Sequence, residues 1–175
     1  MTTNPAAADR LSALFEAHSR RVYAYAARHT DPETAKDVVA EVFLAAWRRV
    51  DDVPEPALPW LLVAARNVVS NSRRTSLRQR RLAVVVAGSV AGLAALMPGA
   101  DETAVERSHM LAALDALNDT EREALLLTAW DGLSAKDAAA VAGCSTRAFE
   151  VRLSRARAHL DRVLAAEPTP CEVTR

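Results

Sequence analysis

Aromatic side chains make up only 5% of this 175-residue sequence, which has five glycines and two cysteines. Scarce aromatics exclude a core built on large rings. The apolar half of the chain is mostly Ala, Leu and Val, a mix that favours helices packed by small and branched aliphatic side chains. Scarce glycine and the lack of sustained apolar–polar alternation leave no convincing strand. Cys144 and Cys171 stand at neither a metal nor a redox spacing, which predicts a reduced, cytoplasmic setting. The opening MTTNPAAADR has no basic start followed by an apolar run, so no signal peptide is expected. The length suits one mid-sized domain or two small ones.

Net charge is lacking too: 22 basic and 22 acidic residues cancel, so bulk charge predicts no nucleic-acid binding. The distribution says more. No acidic residue lies between Glu55 and Asp101, an interval that holds Arg66, Arg73, Arg74, Arg78, Arg80 and Arg81. Arg147, Arg152, Arg155, Arg157 and Arg162 form a second basic cluster, whereas acids concentrate in 31–55 and 101–123. Local basic surfaces on a neutral chain can bind phosphate while acidic stretches serve other contacts. Solvated helix faces would carry the same charges.

Long hydrophobic runs are missing with one exception. Residues 82–97, LAVVVAGSVAGLAALM, are uncharged, but a membrane span needs about 20 apolar residues. This run is shorter and contains two glycines and a serine. It is expected to belong to an interdomain connection, with a membrane-associated segment as the other reading.

What is present is helical periodicity. A first helix is predicted over about 9–29, with Leu11, Leu14, Phe15, His18, Val22, Tyr25 and Ala26 on one buried stripe. His18 has no second His or Cys at metal spacing and is expected to be a packed histidine rather than a ligand. Asp31-Pro32-Glu33 opens a second helix: Asp31 can accept from free backbone N–H groups, and Pro32 suits the first helical position. Ala35, Val38, Val39, Val42, Phe43, Ala46 and Trp47 make its apolar face, and Asp37, Glu41 and Arg48 lie opposite. Asp37 and Glu41 are neighbours whose like charges repel slightly; a partner surface or plain solvation accounts for them.

Residues 51–59, DDVPEPALP, hold three prolines and form a loop. A third helix, about 59–80, turns Leu61, Ala65 and Val68 inward. Asn67, Asn71, Arg74 and Arg78 share another face, where two amides and two guanidiniums can read bases and hold phosphates. Trp60 packs in the core or stacks on a base, and core packing is the commoner use of an aromatic.

After Pro98-Gly99 a second domain begins near Glu106. Met110, Leu111, Leu114 and Leu117 mark a helix, and Asn118 with Glu121 three residues on is a capping sequence. The next helix carries Leu125, Leu126, Ala129 and Trp130 and ends at Gly132. Ser134 and Asp137 resemble another cap, ahead of a short apolar helix with Ala138, Ala139, Val141 and Ala142. Gly143-Cys144-Ser145 is a three-residue turn with glycine where the backbone needs a positive φ, and with a small buried place for Cys144. Ser145 caps a last helix that has Phe149, Leu153, Ala156, Leu160 and Val163 on one face. Arg147, Val151 and Ser154 point the other way, beside Glu150, Arg152 and Arg155. Such a pair of helices suits the major groove, where the N-terminal half of the second helix reaches base edges and arginines hold phosphates. A three-helix bundle with no DNA contact would share the periodicity. No phosphate-binding glycine loop, Ser/His/Asp set or catalytic carboxylate pair is present.

Over about 11–81 and 106–164 the chain resembles the extracytoplasmic-function (ECF) RNA polymerase sigma factors. DVVAEVFLAAW (37–47) and PWLLVAARNVVSNSRR (59–74) look like that family's region two. LAALDALNDTEREALLLTAWDGLSAKDAAAVAGCSTRAFEVRLSRARAHL (111–160) looks like region four. Two matches in the right order are far more specific than either alone. The resemblance implies an all-α protein of two small helical domains. Region two would cover 1–81, a linker 82–105, the region four helix-turn-helix domain 106–165 and a tail 166–175.

The same resemblance implies a non-enzymatic sigma factor that binds core RNA polymerase at the β′ clamp helices and β flap. It would direct polymerase to promoter DNA through minus-ten and minus-thirty-five elements, without cofactor, metal or small-molecule substrate, and an anti-sigma factor is a further partner of this kind. Asp37, Glu41 and Arg48 would face the clamp helices, with Phe43 and Trp47 in the core. Trp60, Arg66, Asn67, Asn71 and Arg74 would form the melting and minus-ten face. The 51–59 loop would capture a flipped non-template base, whose extrusion costs about a few kcal/mol. Arg147, Glu150, Val151, Arg152, Ser154 and Arg155 would form the minus-thirty-five surface. Three departures stand out: Ala40 replaces the family's usual glutamine, Asn71 its usual minus-ten aspartate, and Glu150-Val151 a common Lys-Ser pair. The apolar 82–97 run also departs from an acidic, polar linker. The alternatives are a helix-turn-helix regulator acting without polymerase docking and a membrane-associated adaptor built on 82–97.

Overall fold

Asp31 makes the first corner. Its φ of −71° and ψ of 162° keep it outside the helix that it starts, and Pro32 follows at the first helical position. Its carboxylate accepts from the Thr34 N–H at 3.0 Å and the Thr34 hydroxyl at 2.7 Å. These bonds, the backbone one foremost, hold the Asp31 carboxyl below its ordinary value.

The computed structural model describes residues 5–79 and 104–166, with side chains for 5–71 and 108–166. Every regular element among the described residues is helical. The chain divides into two units, Met1–Met97 and Pro98–Arg175. The 82–97 run, Pro98-Gly99 and the tail from 167 lie outside the described residues. No described helix is long and apolar enough to cross a membrane.

The first unit contains α1 (Pro5–Ala27), α2 (Pro32–Arg48), a 3-10 turn (Val50–Asp52) and α3 (Leu58–Gln79). The three helices pack against one another pairwise. Val22, Tyr25 and Ala26 of α1, Ala35, Val38, Val42 and Ala46 of α2, and Leu61, Leu62 and Ala65 of α3 are almost wholly buried. Burying one such leucine contributes roughly 1.5–3 kcal/mol.

The periodicity misplaces a few residues. Phe15, expected in the core, is 48% exposed and meets Phe43 edge-on with ring centroids 4.9 Å apart. Such a ring pair is worth about 0.5–1.5 kcal/mol beyond its area, which holds Phe15 in place without full burial. Leu11 and His18 are half-buried, because the burial of α1 is concentrated in Val22 and Ala24–Ala27 near its C-terminus. Val39 and Trp47 sit half-buried at the edges of the inner face of α2. Val68 is also half-buried. Leu62 and Val69 are buried in its place, so the inner face of α3 is turned by one residue.

The second unit contains α4 (Ala104–Asp115), α5 (Asp119–Leu125) continuing into a π turn (Leu126–Trp130), α6 (Ala135–Ala142) and α7 (Thr146–Ala166). The capping box is complete: the Asn118 side chain accepts from the Glu121 N–H at 2.9 Å, and the Glu121 carboxylate accepts from the Asn118 N–H at 3.3 Å. In the π turn the Asp131 N–H donates to the Leu126 carbonyl, and the Thr128 hydroxyl donates to the Ala124 carbonyl at 2.9 Å. The wider turn shifts the helical phase by a residue. Leu127 is fully buried, while Ala129, expected on the inner face, is exposed and Trp130 is half-buried. Gly132 ends the segment with φ 63°.

The Ser134 hydroxyl caps α6 by accepting from the Asp137 N–H at 3.1 Å. Gly143 follows α6 in the left-handed region, φ 65° and ψ 40°. The Ser145 hydroxyl accepts from the Ala148 N–H at 3.2 Å and so starts α7. Phe149, Leu153 and Ala156 of α7 are buried where it packs on α5 and α6, while Leu160 and Val163 are half-buried toward its end. Met110 is 38% exposed, and Leu111 and Cys144 are half-buried rather than buried.

Candidate nucleic-acid interface

Ser145 closes the turn, so Arg147 falls in the first turn of α7 and projects from the helix end richest in free N–H groups. Arg147, Glu150, Val151, Ser154 and Arg155 are exposed and Arg152 is half-buried. Arg147, Val151 and Arg155 are spaced by four and form one stripe. Val151 is 46% exposed, an apolar side chain between two guanidiniums and of a kind suited to a thymine methyl.

Arg147, Val151, Arg152 and Arg155 line a groove shared with the start of α5. Thr120 and Ser145 bring hydroxyls to it, and Arg147, Arg152 and Arg155 bring guanidiniums. The guanidiniums and the Ser145 hydroxyl are a donor set for phosphate oxygens, while the Thr120 hydroxyl already donates to Asn118 Oδ1 at 2.8 Å. Glu121 lies in the same wall and would repel an anion, but its carboxylate is engaged. Its Oε2 lies 2.9 Å from His159 Nδ1 and also accepts from the Asn118 N–H. The His159 bond is the chief cause that holds the Glu121 carboxyl below the ordinary glutamate value.

In the first unit, Asp37, Glu41 and Arg48 are exposed on α2. Ala40 and Leu44 are exposed with them, Leu44 at 49%. At spacings of three, one, three and four the five share one side of the helix. The sequence pattern left Leu44 on neither the apolar face nor the charged one. The signal was its phase, since it stands between the buried positions Val42 and Ala46. Phe43 is buried and Trp47 half-buried.

On α3, Asn67 and Asn71 are exposed one turn apart, while Trp60 and Arg66 are half-buried. Arg74 follows on the same helix, with its side chain outside the described part. Before α3, Val50, Val53 and Ala57 are buried, and Asp51, Asp52, Pro54, Glu55 and Pro56 are exposed. Among the described residues no group of His, Cys, Asp and Glu could hold a metal ion.

A helix-turn-helix unit with a basic outer face, preceded in the chain by a three-helix unit, defines a helical DNA-binding regulator. Residues 14–81 match Sigma-70 region 2, and residues 109–160 match Sigma-70, region 4. The chain is 38% identical over 136 residues to the ECF RNA polymerase sigma factor EcfG of Rhodopseudomonas palustris (strain TIE-1), covering 75% of this chain and 72% of EcfG. It is 34% identical over 150 residues to the RNA polymerase sigma factor CnrH of Cupriavidus metallidurans, covering 78% and 76%. A solved structure of CnrH in complex with the cytosolic domain of CnrY matches with a TM-score of 0.56 at 27% identity, over 93% of this chain and 96% of that one. The chain belongs to the ECF RNA polymerase sigma factors. Its function is promoter-directed transcription initiation with core RNA polymerase, and the paired matches to regions 2 and 4 do not favour a regulator that acts without polymerase.

Proposed function

We propose that Asp37, Glu41 and Arg48 of α2, with Leu44 among them, dock on the β′ clamp helices of polymerase. The observation that carries this is the exposed strip itself: a half-exposed leucine framed by charges of both signs is what the centre and rim of a protein interface present. Trp60, Arg66, Asn67, Asn71 and Arg74 engage the melted minus-ten strand, and the 51–59 loop receives a flipped base from it. Arg147, Glu150, Val151, Arg152, Ser154 and Arg155 read the minus-thirty-five duplex, and the second unit meets the β flap. The working domains are 1–81 and 106–165, joined by 82–105 and followed by the tail 166–175.

Binding is the whole of the chain's task. It holds polymerase and DNA in register, the arginines supply salt-sensitive phosphate affinity, and the chain itself catalyses nothing. It acts in the cytoplasm, where core polymerase and promoters are. CnrH is solved with the cytosolic domain of CnrY, and by that likeness an anti-sigma partner is part of the reading.

Pull-down of core polymerase followed by run-off transcription on a promoter library tests the assignment. Wild type retains core polymerase and yields defined starts, and reversing the charges of Asp37 and Glu41 abolishes both. Core retention unchanged by the reversal would overturn the docking face.

A further inference from the structure

A long-range hydrogen bond ties α1 to the loop where the proposed base capture occurs. Arg10 lies on the first turns of α1, and its Nη2 donates to the Val53 carbonyl at 2.7 Å across 43 residues of sequence. Arg10 precedes residue 14, where the region 2 match begins, so the family pattern does not assign it. We propose that Arg10 is a positioning residue for the 51–59 loop, fixing the shape in which that loop receives a base. The inference rests on the reading that this loop captures a flipped nucleotide.

The loop is held in two ways. Val50, Val53 and Ala57 bury their side chains against the helices, which anchors the loop but leaves its peptide planes free to tilt about each anchor. A guanidinium on the Val53 carbonyl removes that freedom at one plane. The plane lies between Asp51-Asp52 and Pro54-Glu55-Pro56, which are the exposed residues available to a base. Arginine suits the task because its planar donor fork is pre-organised. The bond is charge-assisted and partly sheltered, so it outweighs an exposed surface contact. Arg10 is itself exposed. It therefore contributes little to the core, and its loss leaves the three-helix unit folded.

Rigidity at a recognition loop favours one base over others, because discrimination needs the loop's polar groups held at fixed positions. Losing the bond should cost selectivity at one position of the minus-ten element, by about the worth of one hydrogen bond, or roughly fivefold.

The test uses polymerase holoenzyme reconstituted with the full chain, on fork-junction promoter DNA randomised through the minus-ten non-template strand. Bound and unbound pools are sequenced to give base preference position by position. The variants are Arg10→Ala, Arg10→Lys, which keeps a donor, and Asp52→Ala within the loop, and thermal melting of each checks the fold. The expected result is that Arg10→Ala flattens preference at a single position by about fivefold, that Arg10→Lys restores most of it, and that Asp52→Ala disturbs the same position. An unchanged profile for Arg10→Ala, or a uniform fall at every position, overturns the inference. If Asp52→Ala shifts one position while Arg10→Ala shifts none, the loop reading stands and Arg10 falls. If neither moves any position, the loop reading falls with it. If Arg10→Ala fails to fold, Arg10→Met, which keeps the aliphatic stem and lacks a donor, decides by the same profile: preference lost at the position set by Asp52 supports the inference, and an unchanged profile overturns it.

Discussion

His159 Nδ1 lies 2.9 Å from Glu121 Oε2, so α7, the second helix of the helix-turn-helix, is tied to the capped start of α5. One carboxylate thereby serves two bonds, since Glu121 also accepts from the Asn118 N–H. Both bonds are stronger to the ionised form. The Glu121 carboxyl is held below its ordinary value, so its stabilising effect is complete above the unfolded glutamate pKa and is lost as pH falls through the folded one. Glu121→Gln keeps a capping-box side chain but removes the titration. Melting curves from neutral to acid pH should therefore fall less steeply for the variant than for wild type. Identical acid slopes would show that the pair adds nothing.

Arg122 closes the end of α4. Its Nε donates to the Leu114 carbonyl at 2.8 Å, and its Nη2 to the Leu117 carbonyl at 2.9 Å and the Asp115 carbonyl at 3.1 Å. Its contacts to Asp115 and Asp119 carboxylates are longer, 3.9 and 3.4 Å, and those acids are well exposed, so they contribute little. Arg122→Met retains the aliphatic stem and removes three carbonyl bonds. At about 1 kcal/mol each, urea unfolding should show a loss of roughly 2–3 kcal/mol. A loss below about 0.5 kcal/mol, the scale of an ordinary surface change, would mean that water replaces the arginine fully.

Arg122 also shows where sequence reading stops. Caps made by near neighbours are legible, because Asp31, Asn118, Ser134 and Ser145 bond three residues ahead and the spacing is in the sequence. The two helical domains and the turn at Gly143 were legible for the same reason. Arg122 reaches back across a corner to carbonyls five to eight residues away, and no local pattern marks that. Ala129 was misplaced because a π turn adds a residue that a fixed 3.6 period does not count. Phe15 was misread for another reason: apolar character alone does not tell a core position from a surface one. Of the residues proposed for the interfaces, those on one helix face came out together, while Arg10's hold on Val53 depended on tertiary structure.

Gly143 carries φ 65° directly after α6. A side chain there meets the steric cost that makes left-handed backbone rare, about 1–2 kcal/mol for an L-residue. Gly143→Ala should lower stability by about 1 kcal/mol in denaturant unfolding. Gly143→Asn should cost less, because asparagine tolerates this region. Equal losses for the two would point to crowding rather than backbone conformation.

Arg147 and Arg155 flank Val151 on the exposed stripe of α7, and their separate roles can be told apart by salt. An arginine on a phosphate binds every sequence alike, so its removal weakens binding uniformly and lowers the salt slope by about 1. An arginine on a guanine edge costs roughly 1–3 kcal/mol and relaxes preference at that base alone. Arg147 is nearer the N-terminal end of α7, the end that reaches base edges in helix-turn-helix docking. Arg147→Ala should therefore show the base signature and Arg155→Ala the phosphate one. Duplex titrations at several salt concentrations, on matched and mutated minus-thirty-five elements, would read both. A uniform loss for Arg147→Ala would move base reading along the helix toward Val151 and Ser154.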